Sequence, residues 1–491
     1  MPRPSTGNAL HTDLYQLTMA QGYFLTGRAE HESVFHLFFR RLPFKGGYAV
    51  ACGLAEAVDY LDDLRFEQDD LDYLASLAGG DGKPLFRKEF LAYLANMSLA
   101  LSVDAVPEGT LAFAHEPLVR VRGPLLQAQL VETALLNAIN FQTLVATKAA
   151  RICGAAGSDP VLEFGLRRAQ GKNGALCASR AAYVGGCTAT SNVLAGMQFG
   201  IPVRGTHAHS WVMSFDSEVE AFAAYAEAMP NNVVFLVDTY DTLEGVRNAI
   251  RVAEKMRARG HEMGGIRRDS GDLAWLSIET RKLLDQAGFA KAAIVASNDL
   301  DEYLIESLKQ QGARIGVWGV GTKLVTAFDE PALGGVYKLS ALRPRGSSEP
   351  FSYRIKLSEQ IGKISTPGVQ QIRRYHDPRD GHFVADAICD EQALPQGNVC
   401  VGDIHDPIRY KHLSADLAFD ELLVPVFRDG KKVLDLPTAT EARARTLEQL
   451  ARLSIFSRRL QNPHEYPVGL EQGLSDRRMA LIRAAKEGKS A

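Results

Sequence analysis

Four apolar runs between residues 232 and 323 decide the fold: VVFLVD (233–238), GGI (264–266), AAIVA (292–296) and RIGVWGV (314–320). Each run ends in a loop that carries acidic, polar or glycine residues. The stretches between the first three loops, LEGVRNAIRVAEKMRARG and LAWLSIETRKLLDQAG, have the spacing of amphipathic helices. Short buried strands that alternate with such helices indicate parallel βαβ units. We therefore expect the chemistry of this chain to lie where these strands end and the helices begin.

This alternation runs from Val161 to about Val325 and predicts an irregular α/β barrel. The N-terminal region mixes helices with β-hairpins, and the region after Val336 alternates polar and apolar residues, as antiparallel strands do. The fold class is therefore α/β, with a second, smaller, β-rich α+β domain built from the N-terminal and C-terminal parts. The expected domains are 1–120 (N-terminal α+β), 121–340 (the barrel with the active site), 341–455 (the β-rich return and a helix) and 456–491 (a charged tail).

Composition excludes several classes of function. The formal net charge of −3 argues against a nucleic-acid or membrane-surface partner, because both favour a basic face. The sequence lacks the ~20 consecutive apolar residues of a membrane span, and its N-terminus lacks the apolar core of a signal peptide. Six cysteines without CxxC spacing are typical of reduced thiols, which predicts a cytoplasmic protein.

Two of the strand-end loops carry groups that suit phosphate. In the loop RRDSGD, Arg267 can bind phosphate or carboxylate oxygens at two points, and Asp269 can hold a sugar hydroxyl or a metal-bound water. In the loop that contains Gly321 and Thr322, glycine lets backbone N–H groups approach a phosphate, with Lys323 beside them. Each motif alone also fits a solvated loop or a tight turn. Their position in a series of strand ends favours binding.

The motif His207-Ala208-His209 allows three interpretations. The two imidazoles could bind zinc, although the later strand ends offer aspartates and no further histidine. Alternatively, one imidazole is a nucleophile that a carboxylate on its other nitrogen orients, and Asp238 on the next strand end could supply that carboxylate. Two core or surface histidines remain the third possibility.

A predicted strand ends in an aromatic ring, and two guanidinium groups follow it. Phe164 and the pair Arg167-Arg168 suit a flat, anionic aromatic ligand. Composition alone leaves open that Phe164 is an ordinary core residue.

Together these motifs resemble the nicotinate phosphoribosyltransferase family. The resemblance runs through HTDLYQLTMAQGYF, EFGLRRAQG, GGCTATSNVLAGMQFGIPVRGTHAHSW, LVDTYDTLEGVRNAI, IRRDSGDLAWLS, SNDLDE and VWGVGTKLVTA. It implies transfer of phosphoribosyl from phosphoribosyl pyrophosphate to nicotinate, which gives nicotinate mononucleotide and pyrophosphate in NAD salvage. It also implies ATP as a co-substrate, a phosphohistidine intermediate, Mg²⁺ held mainly through pyrophosphate, and homodimers with shared active sites.

The resemblance assigns a role to each matching position. It implies that His209 is the phosphorylated histidine and that Asp238 orients it. The substrate-binding positions that it implies are Thr206 and Phe164 for nicotinate, Asp13 and Tyr15 from the neighbouring subunit, Arg167 and Arg267 for anionic groups, Asp269 and Asp299 for ribose hydroxyls, and Gly321 and Thr322 for phosphate.

Ala189 bears on the choice between nicotinate and nicotinamide. The related nicotinamide enzymes carry an Asp that accepts from the amide, and Ala189 stands at the matching position. An Asp there would repel a carboxylate, so Ala189 favours the acid. The alternatives are a nicotinamide phosphoribosyltransferase, a zinc amidohydrolase built on His207 and His209, and a barrel that binds without catalysis.

Overall fold

The computed structural model describes residues 9–406 and 408–488. The chain forms two compact units, each made of separate segments. We call one the β-rich unit; it comprises the residues up to Leu144, Ala332–Pro437 and those from Arg445 onward. The other, the α/β unit, comprises Val145–Pro331 and Thr438–Ala444. The domain boundaries drawn from the sequence stay predictions.

The helices are α1 Leu14–Leu25, α2 Leu54–Asp62, α3 Gln68–Ser76, α4 Lys88–Ala95, α5 Leu125–Leu130, α6 Glu132–Ala156, α7 Gly171–Val184, α8 Val193–Phe199, α9 His209–Met213, α10 Glu218–Ala228, α11 Thr242–Arg257, α12 Leu273–Gln286, α13 Glu302–Gln310, α14 Thr322–Val325, α15 Ala439–Arg452 and α16 Gln472–Lys486. Short 3-10 turns cover Pro43–Lys45, Leu166–Arg168, Ile361–Lys363 and Glu391–Ala393.

The strands are β1 Glu32–Phe39, β2 Ala49–Val50, β3 Ser102–Ala105, β4 Leu111–Ala112, β5 Val119–Pro124, β6 Val161–Glu163, β7 Ala189–Thr190, β8 Val234–Leu236, β9 Gly265–Arg268, β10 Ala293–Asn298, β11 Val317–Val320, β12 Gly335–Arg343, β13 Ser352–Tyr353, β14 Gln370–His376, β15 Phe383–Asp390, β16 Val399–Gly402, β17 Tyr410–Leu413, β18 Ala418–Glu421, β19 Val424–Arg428, β20 Lys431–Lys432 and β21 Val468–Glu471. Within the part of the chain that the structure describes, no helix is long and apolar enough to cross a membrane.

The β-rich unit joins the two ends of the sequence in one sheet. Its largest sheet has the strand order β13-β12-β1-β5-β3-β19-β20. The C-terminal strand β12 pairs antiparallel with the N-terminal β1, and β19 pairs antiparallel with β3. The prediction of a second, β-rich domain that the N-terminal and C-terminal parts build together is confirmed.

A further sheet of this unit takes a central strand from the last part of the chain. Its order is β17-β16-β21-β15-β14-β18. Strand β21 lies between β16 and β15 and is parallel to β15. The segment that was expected to be a charged tail thus supplies a strand inside a sheet. Helix α15 begins with a capping box, in which Thr438 and Glu441 exchange hydrogen bonds.

The α/β unit contains a parallel sheet with the order β7-β6-β11-β10-β9-β8. Each pairing in it is parallel, and helices connect successive strands, as the alternating sequence pattern predicts. Aspartates cap three of these helices: Asp241 accepts from the Glu244 N–H, Asp272 from the Trp275 N–H and Asp301 from the Leu304 N–H. In each of these three loops, one aspartate therefore caps the next helix.

Side chains complete the barrel where backbone pairing stops. Val203 forms an isolated parallel bridge with Thr190 beside the edge strand β7. Four residues later, the His207 imidazole accepts a hydrogen bond from the Leu236 N–H of β8, the opposite edge, with Nε2 and N 3.2 Å apart. Segment 203–207 thus spans the gap between the two edges, which makes the barrel irregular and confirms the predicted fold class.

A buried charge network lies in the core of the β-rich unit. The fully buried Arg374 pairs with Asp386, with Nη2 and Oδ2 2.5 Å apart, and Glu116 Oε2 lies 3.9 Å from the same Nη2. The Tyr466 hydroxyl donates to Asp386 over 2.8 Å. One guanidinium therefore faces two carboxyls. Burial, and then the neighbouring Asp386, raises the pKa of Glu116 well above its usual value.

Glu116→Gln removes this titrating carboxyl and keeps an oxygen for the Phe113 N–H. Because the folded-state pKa is raised, its stabilising contribution is complete below the unfolded pKa of about 4.3 and is lost as the pH rises through the folded pKa. We expect the free energy of unfolding of the unsubstituted protein to fall relative to the variant's from about pH 5 upward, by about 1.4 kcal/mol per pH unit until the folded pKa is reached.

Urea unfolding at several pH values measures this difference. Glu421→Gln is the control, because Glu421 pairs with Arg373 at 3.0 Å from a partly exposed position. That variant should follow the pH dependence of the unsubstituted protein. Parallel stability curves for Glu116→Gln and the unsubstituted protein would contradict the raised pKa of Glu116.

Candidate active site

A pocket of about 410 Å³ lies at the carboxyl ends of the parallel strands of the α/β unit. Eight of the predicted site residues line it: Phe164, Arg167, Thr206, Arg267, Asp269, Asp299, Gly321 and Thr322. Ser191, Ser297 and Asn298 also line it, and the sequence did not single them out. The strand-end loops therefore meet around one cavity, as the βαβ pattern predicts.

Phe164 lies against a strand that has no side chain at the point of contact. A Cβ atom on Gly319 of β11 would lie 2.8 Å from Cδ2 and 2.9 Å from Cε2 of the Phe164 ring. Only glycine leaves room for the ring at this distance. Gly319 thus positions an aromatic face at the end of β11.

Buried Glu163 fixes the turn that presents Phe164 and Arg167. Its carboxylate accepts from the Gly165 N–H, from Ser179 Oγ over 2.8 Å and from Thr190 Oγ1 over 2.5 Å. These bonds join the end of β6 to α7 and β7. One signal in the sequence points to this residue: an acidic side chain ends a strand that is otherwise apolar.

Arg267 holds segment 203–207 in place while it lines the pocket. Its Nη1 donates to Thr206 Oγ1 over 2.7 Å and its Nη2 donates to the His207 carbonyl over 3.1 Å. Its Nε lies 3.5 Å from Asp269 Oδ1. The next residue, Arg268, points into the protein and donates to the carbonyls of Ser270 and Asp272. Burial lowers the pKa of Arg268 to about 10.

The two histidines of the HxH motif have different environments. The buried His207 uses Nε2 to accept from the Leu236 N–H, and its Nδ1 faces the Ala208 carbonyl at 3.4 Å. Burial and, to a smaller extent, the Arg267 charge outweigh the raising effect of the Ala208 carbonyl and lower the pKa of His207 to about 4, so this ring is neutral at pH 7. With both nitrogens engaged, His207 belongs to the barrel closure. The two imidazoles therefore do not form the zinc pair considered from the sequence.

His209 is the accessible member of the motif, and two carboxylates face it. Its side chain is 40% exposed, with Nε2 3.9 Å from Asp238 Oδ1 and 3.8 Å from Asp269 Oδ2. Its Nδ1 lies 3.1 Å from Thr239 Oγ1. The predicted partner Asp238 thus lies within ion-pair distance and beyond hydrogen-bond distance.

The two carboxylate oxygens of Asp238 differ in their hydrogen bonding. Its Oδ2 accepts from the Asp269 N–H over 2.7 Å and from Ser270 Oγ over 2.8 Å. Its Oδ1, the oxygen nearer to His209, is buried without a hydrogen-bond partner. An unsatisfied buried carboxylate oxygen is costly unless a donor reaches it, and the His209 ring is the nearby candidate.

Lys323 corrects an expectation from the sequence. Its ammonium does not line the pocket beside Gly321 and Thr322 but pairs with Asp301, with Nζ and Oδ2 2.5 Å apart. That ion pair raises the pKa of Lys323 above its usual value. The cradle around Gly321 must therefore rely on backbone N–H groups, the Thr322 hydroxyl and the arginines.

Asp13 and Tyr15 lie in the β-rich unit, at the start of α1. Asp13 accepts from Thr133 Oγ1 over 2.8 Å, and Tyr15 is about half exposed. Their predicted role in a neighbouring subunit's site stays a prediction.

The donor set of the pocket suits a hard cation that phosphates help to hold. Across residues 9–406 and 408–488, no group of three or more His, Cys, Asp or Glu side chains converges as a preformed metal cage. Mg²⁺ needs only one or two carboxylates when substrate phosphates and water complete its shell. Asp269 and Asp299 offer such oxygens at the pocket wall.

Comparison with family models identifies the protein's relatives. Residues 10–140 match the N-terminal domain of nicotinate phosphoribosyltransferase, residues 160–349 match the nicotinate phosphoribosyltransferase family model, and residues 369–478 match the C-terminal domain. The chain belongs to the nicotinate phosphoribosyltransferase family. The resemblance stated from the sequence is thereby confirmed, and with it the enzyme class.

Individual relatives cover the chain almost completely. A nicotinate phosphoribosyltransferase of Bacillus subtilis is 45% identical over 481 residues, which are 97% of this chain and 96% of the relative. The crystal structure of human nicotinic acid phosphoribosyltransferase superposes with a TM-score of 0.82 at 34% identity and covers 96% of this chain and 99% of that one. A Pyrococcus furiosus nicotinate-nucleotide pyrophosphorylase, at 22% identity and a TM-score of 0.68, shares the fold.

Gly319→Ala tests the position of the aromatic face. The new methyl group would displace the Phe164 ring, and we expect kcat/KM for nicotinate to fall about ten- to hundredfold, since a misplacement near 1 Å has effects of that size. Gly316→Ala is the matched control, because a Cβ there meets nothing within 4 Å. Steady-state kinetics would contradict the assignment if both variants retained full activity.

Proposed function

We propose that this member of the family transfers phosphoribosyl from phosphoribosyl pyrophosphate to nicotinate, forming nicotinate mononucleotide and pyrophosphate, and that ATP drives the transfer through a phosphohistidine at His209. The supporting observation is that one cavity gathers an aromatic face, arginines, carboxylates and a glycine loop, with an accessible imidazole at its edge. The scattered spacing of the six cysteines, which is typical of reduced thiols, supports a cytoplasmic location.

In this proposal nicotinate lies on the Phe164 ring, near Thr206, and the exposed Arg167 binds its carboxylate. The pyridine nitrogen carries a free lone pair, so its attack on ribose C1 requires no general base. The site must instead align the two reactants and stabilise the positive charge that develops on the ribose. A partly buried aromatic face and nearby carboxylates provide these two effects.

The phosphoribosyl donor would occupy the opposite side of the cavity. Asp269 and Asp299 would hold ribose hydroxyls, Gly321 and Thr322 a phosphate, and Arg267 the anionic charge. Mg²⁺, when bound, would neutralise the departing pyrophosphate, with Asp269 and Asp299 as the available carboxylate ligands. Ser297 Oγ of β10 donates to the carboxylate of Asp269, which follows β9. This bond holds the Asp269 side chain against the end of β10.

Phosphorylation would begin with attack of a His209 ring nitrogen on the γ-phosphorus of ATP. The bond to the β-γ bridging oxygen breaks, ADP leaves, and water later releases phosphate from the histidine. Asp238, whose buried Oδ1 has no hydrogen-bond partner, would accept a hydrogen bond from the N–H of the His209 ring, which leaves the lone pair of the other ring nitrogen for attack. Asp13 and Tyr15 would reach the site from the second subunit of a homodimer.

Incubation with labelled ATP tests the phosphohistidine. We expect acid-labile label on the peptide that contains His207 and His209, no label in His209→Asn, and slow transfer in that variant that ATP does not stimulate. His207 would remain unlabelled because the barrel closure occupies its nitrogens. Equal ATP stimulation of the variant and the unsubstituted protein would refute the role of His209.

Ala189→Asp tests the choice of the acid over the amide. Ala189 lies in β7, two residues before the pocket-lining Ser191, and alternate strand residues share a face. A carboxylate there should lower the ratio of kcat/KM for nicotinate to that for nicotinamide about tenfold or more, because like charges repel across a desolvated contact. Ala189→Asn is the control, since it adds similar volume without charge. An unchanged ratio in the Asp variant would argue that residue 189 does not determine the preference for the acid over the amide.

A further inference from the structure

Two neighbouring loops carry the groups assigned to the phosphoribosyl donor. The loop after β10 contains Asp299, and the loop after β11 contains Gly321 and Thr322. A donor whose hydroxyls bind one loop and whose phosphate binds the other requires a fixed distance between the loops. Something must therefore hold the two loops at that distance before the donor arrives.

The ion pair between Lys323 and Asp301 connects these loops directly. Lys323 follows Thr322, and Asp301 lies two residues after Asp299. Their charged atoms are 2.5 Å apart, and neither residue lines the pocket. The second Asp301 oxygen caps α13 by accepting from the Leu304 N–H over 2.8 Å. The pair thus lies behind the pocket wall and anchors to the start of a helix.

A second set of charges anchors both loops to α6. The buried Lys148 pairs with Glu302 at 2.8 Å and with Asp329 at 2.5 Å. Arg151 donates to the other Glu302 oxygen over 2.8 Å. Glu302 follows the first loop, and Asp329 follows the second. The charges of three cations therefore balance those of three carboxylates, and the two cations of α6 hold the segments that follow both loops. The cations are Lys148, Arg151 and Lys323, and the carboxylates are Asp301, Glu302 and Asp329.

We propose that Lys323 is a positioning residue for the phosphoribosyl donor: through Asp301 it sets the separation between Asp299 and the Gly321–Thr322 loop, without touching the donor. This inference rests on the proposed function. It assigns Lys323 an effect on binding of phosphoribosyl pyrophosphate and little effect on nicotinate, whose contacts with Phe164 and Arg167 come from the loop after β6.

The competing interpretation is that Lys323 binds a phosphate itself, as its place beside a glycine loop suggests. The two interpretations differ in the expected effect of Asp301. If the ion pair positions the loops, loss of either charge should weaken donor binding. If the ammonium binds phosphate, Asp301→Asn should release it and leave donor binding unchanged or tighter. Asn retains the helix cap, so that variant changes the charge alone.

The experiment compares Lys323→Met, Asp301→Asn and the double variant. We expect either single change to raise KM for phosphoribosyl pyrophosphate about tenfold, which corresponds to ~1.4 kcal/mol of lost positioning, with KM for nicotinate changed less than about twofold. The double variant should equal the single ones, because both remove the same interaction. Lys323→Arg should restore much of the affinity, since a guanidinium can still pair with Asp301.

Lys309→Met is the matched control. Lys309 pairs with Asp159 at 2.9 Å in the same unit but away from the pocket-lining residues, so its loss should leave both KM values unchanged. Additive effects of the two substitutions, or undiminished donor affinity in Asp301→Asn, would overturn the proposal. Calorimetric titration with phosphoribosyl pyrophosphate alone measures donor binding without turnover and so tests the positioning role by itself. Failure of the proposed function would instead show as absence of nicotinate mononucleotide among the products of the unsubstituted protein.

Discussion

The α/β unit depends on how Arg267 and His207 close the barrel. The parallel sheet has two edges, β7 and β8, and the segment between them pairs by backbone only at Thr190 and Val203. Beyond that bridge, the Arg267 guanidinium and the His207 ring hold the segment through three hydrogen bonds. Because these side chains replace a strand pairing, the segment can turn inward and carry Thr206 and His209 to the cavity.

This closure explains why two histidines so close in sequence have different properties. His207 is buried, neutral and fully engaged, so it contributes structure. His209 begins α9 beyond the closure and keeps an accessible ring between two carboxylates. A residue pattern that resembles a metal motif thus separates into a buried structural imidazole and an accessible one, because α9 begins only at the second histidine.

The sequence predicts the location of the candidate site at the strand ends better than it predicts which side chains line the pocket. Each of the three loops after β8, β9 and β10 has two aspartates: 238 and 241, 269 and 272, 299 and 301. In each pair the second caps a helix and the first lies at or beside the pocket. Periodicity predicts the strand ends, because burial imposes it. The capping role, the partner of Lys323 and the contacts of Glu163 depend on distances across the fold, which the local pattern does not contain.

Strand β21 shows the same limit in the β-rich unit. Its four residues, VGLE, are too few for a periodic signal, and a charged sequence surrounds them. Their place between β16 and β15 is determined by pairing partners more than 50 residues away in sequence. By contrast, the helices α11 and α12 carry long patterns, and the structure has them where the sequence predicted.

We propose that one cavity at the strand ends holds both the pyridine and the phosphoribosyl group. A crystal structure of the protein with nicotinate mononucleotide tests this most directly. We expect the pyridine on the Phe164 ring, the ribose hydroxyls at Asp269 or Asp299 and the phosphate at Gly321 and Thr322, with the Arg267–Thr206 contact retained. Nucleotide bound outside this cavity, or a pyridine remote from Phe164, would contradict it.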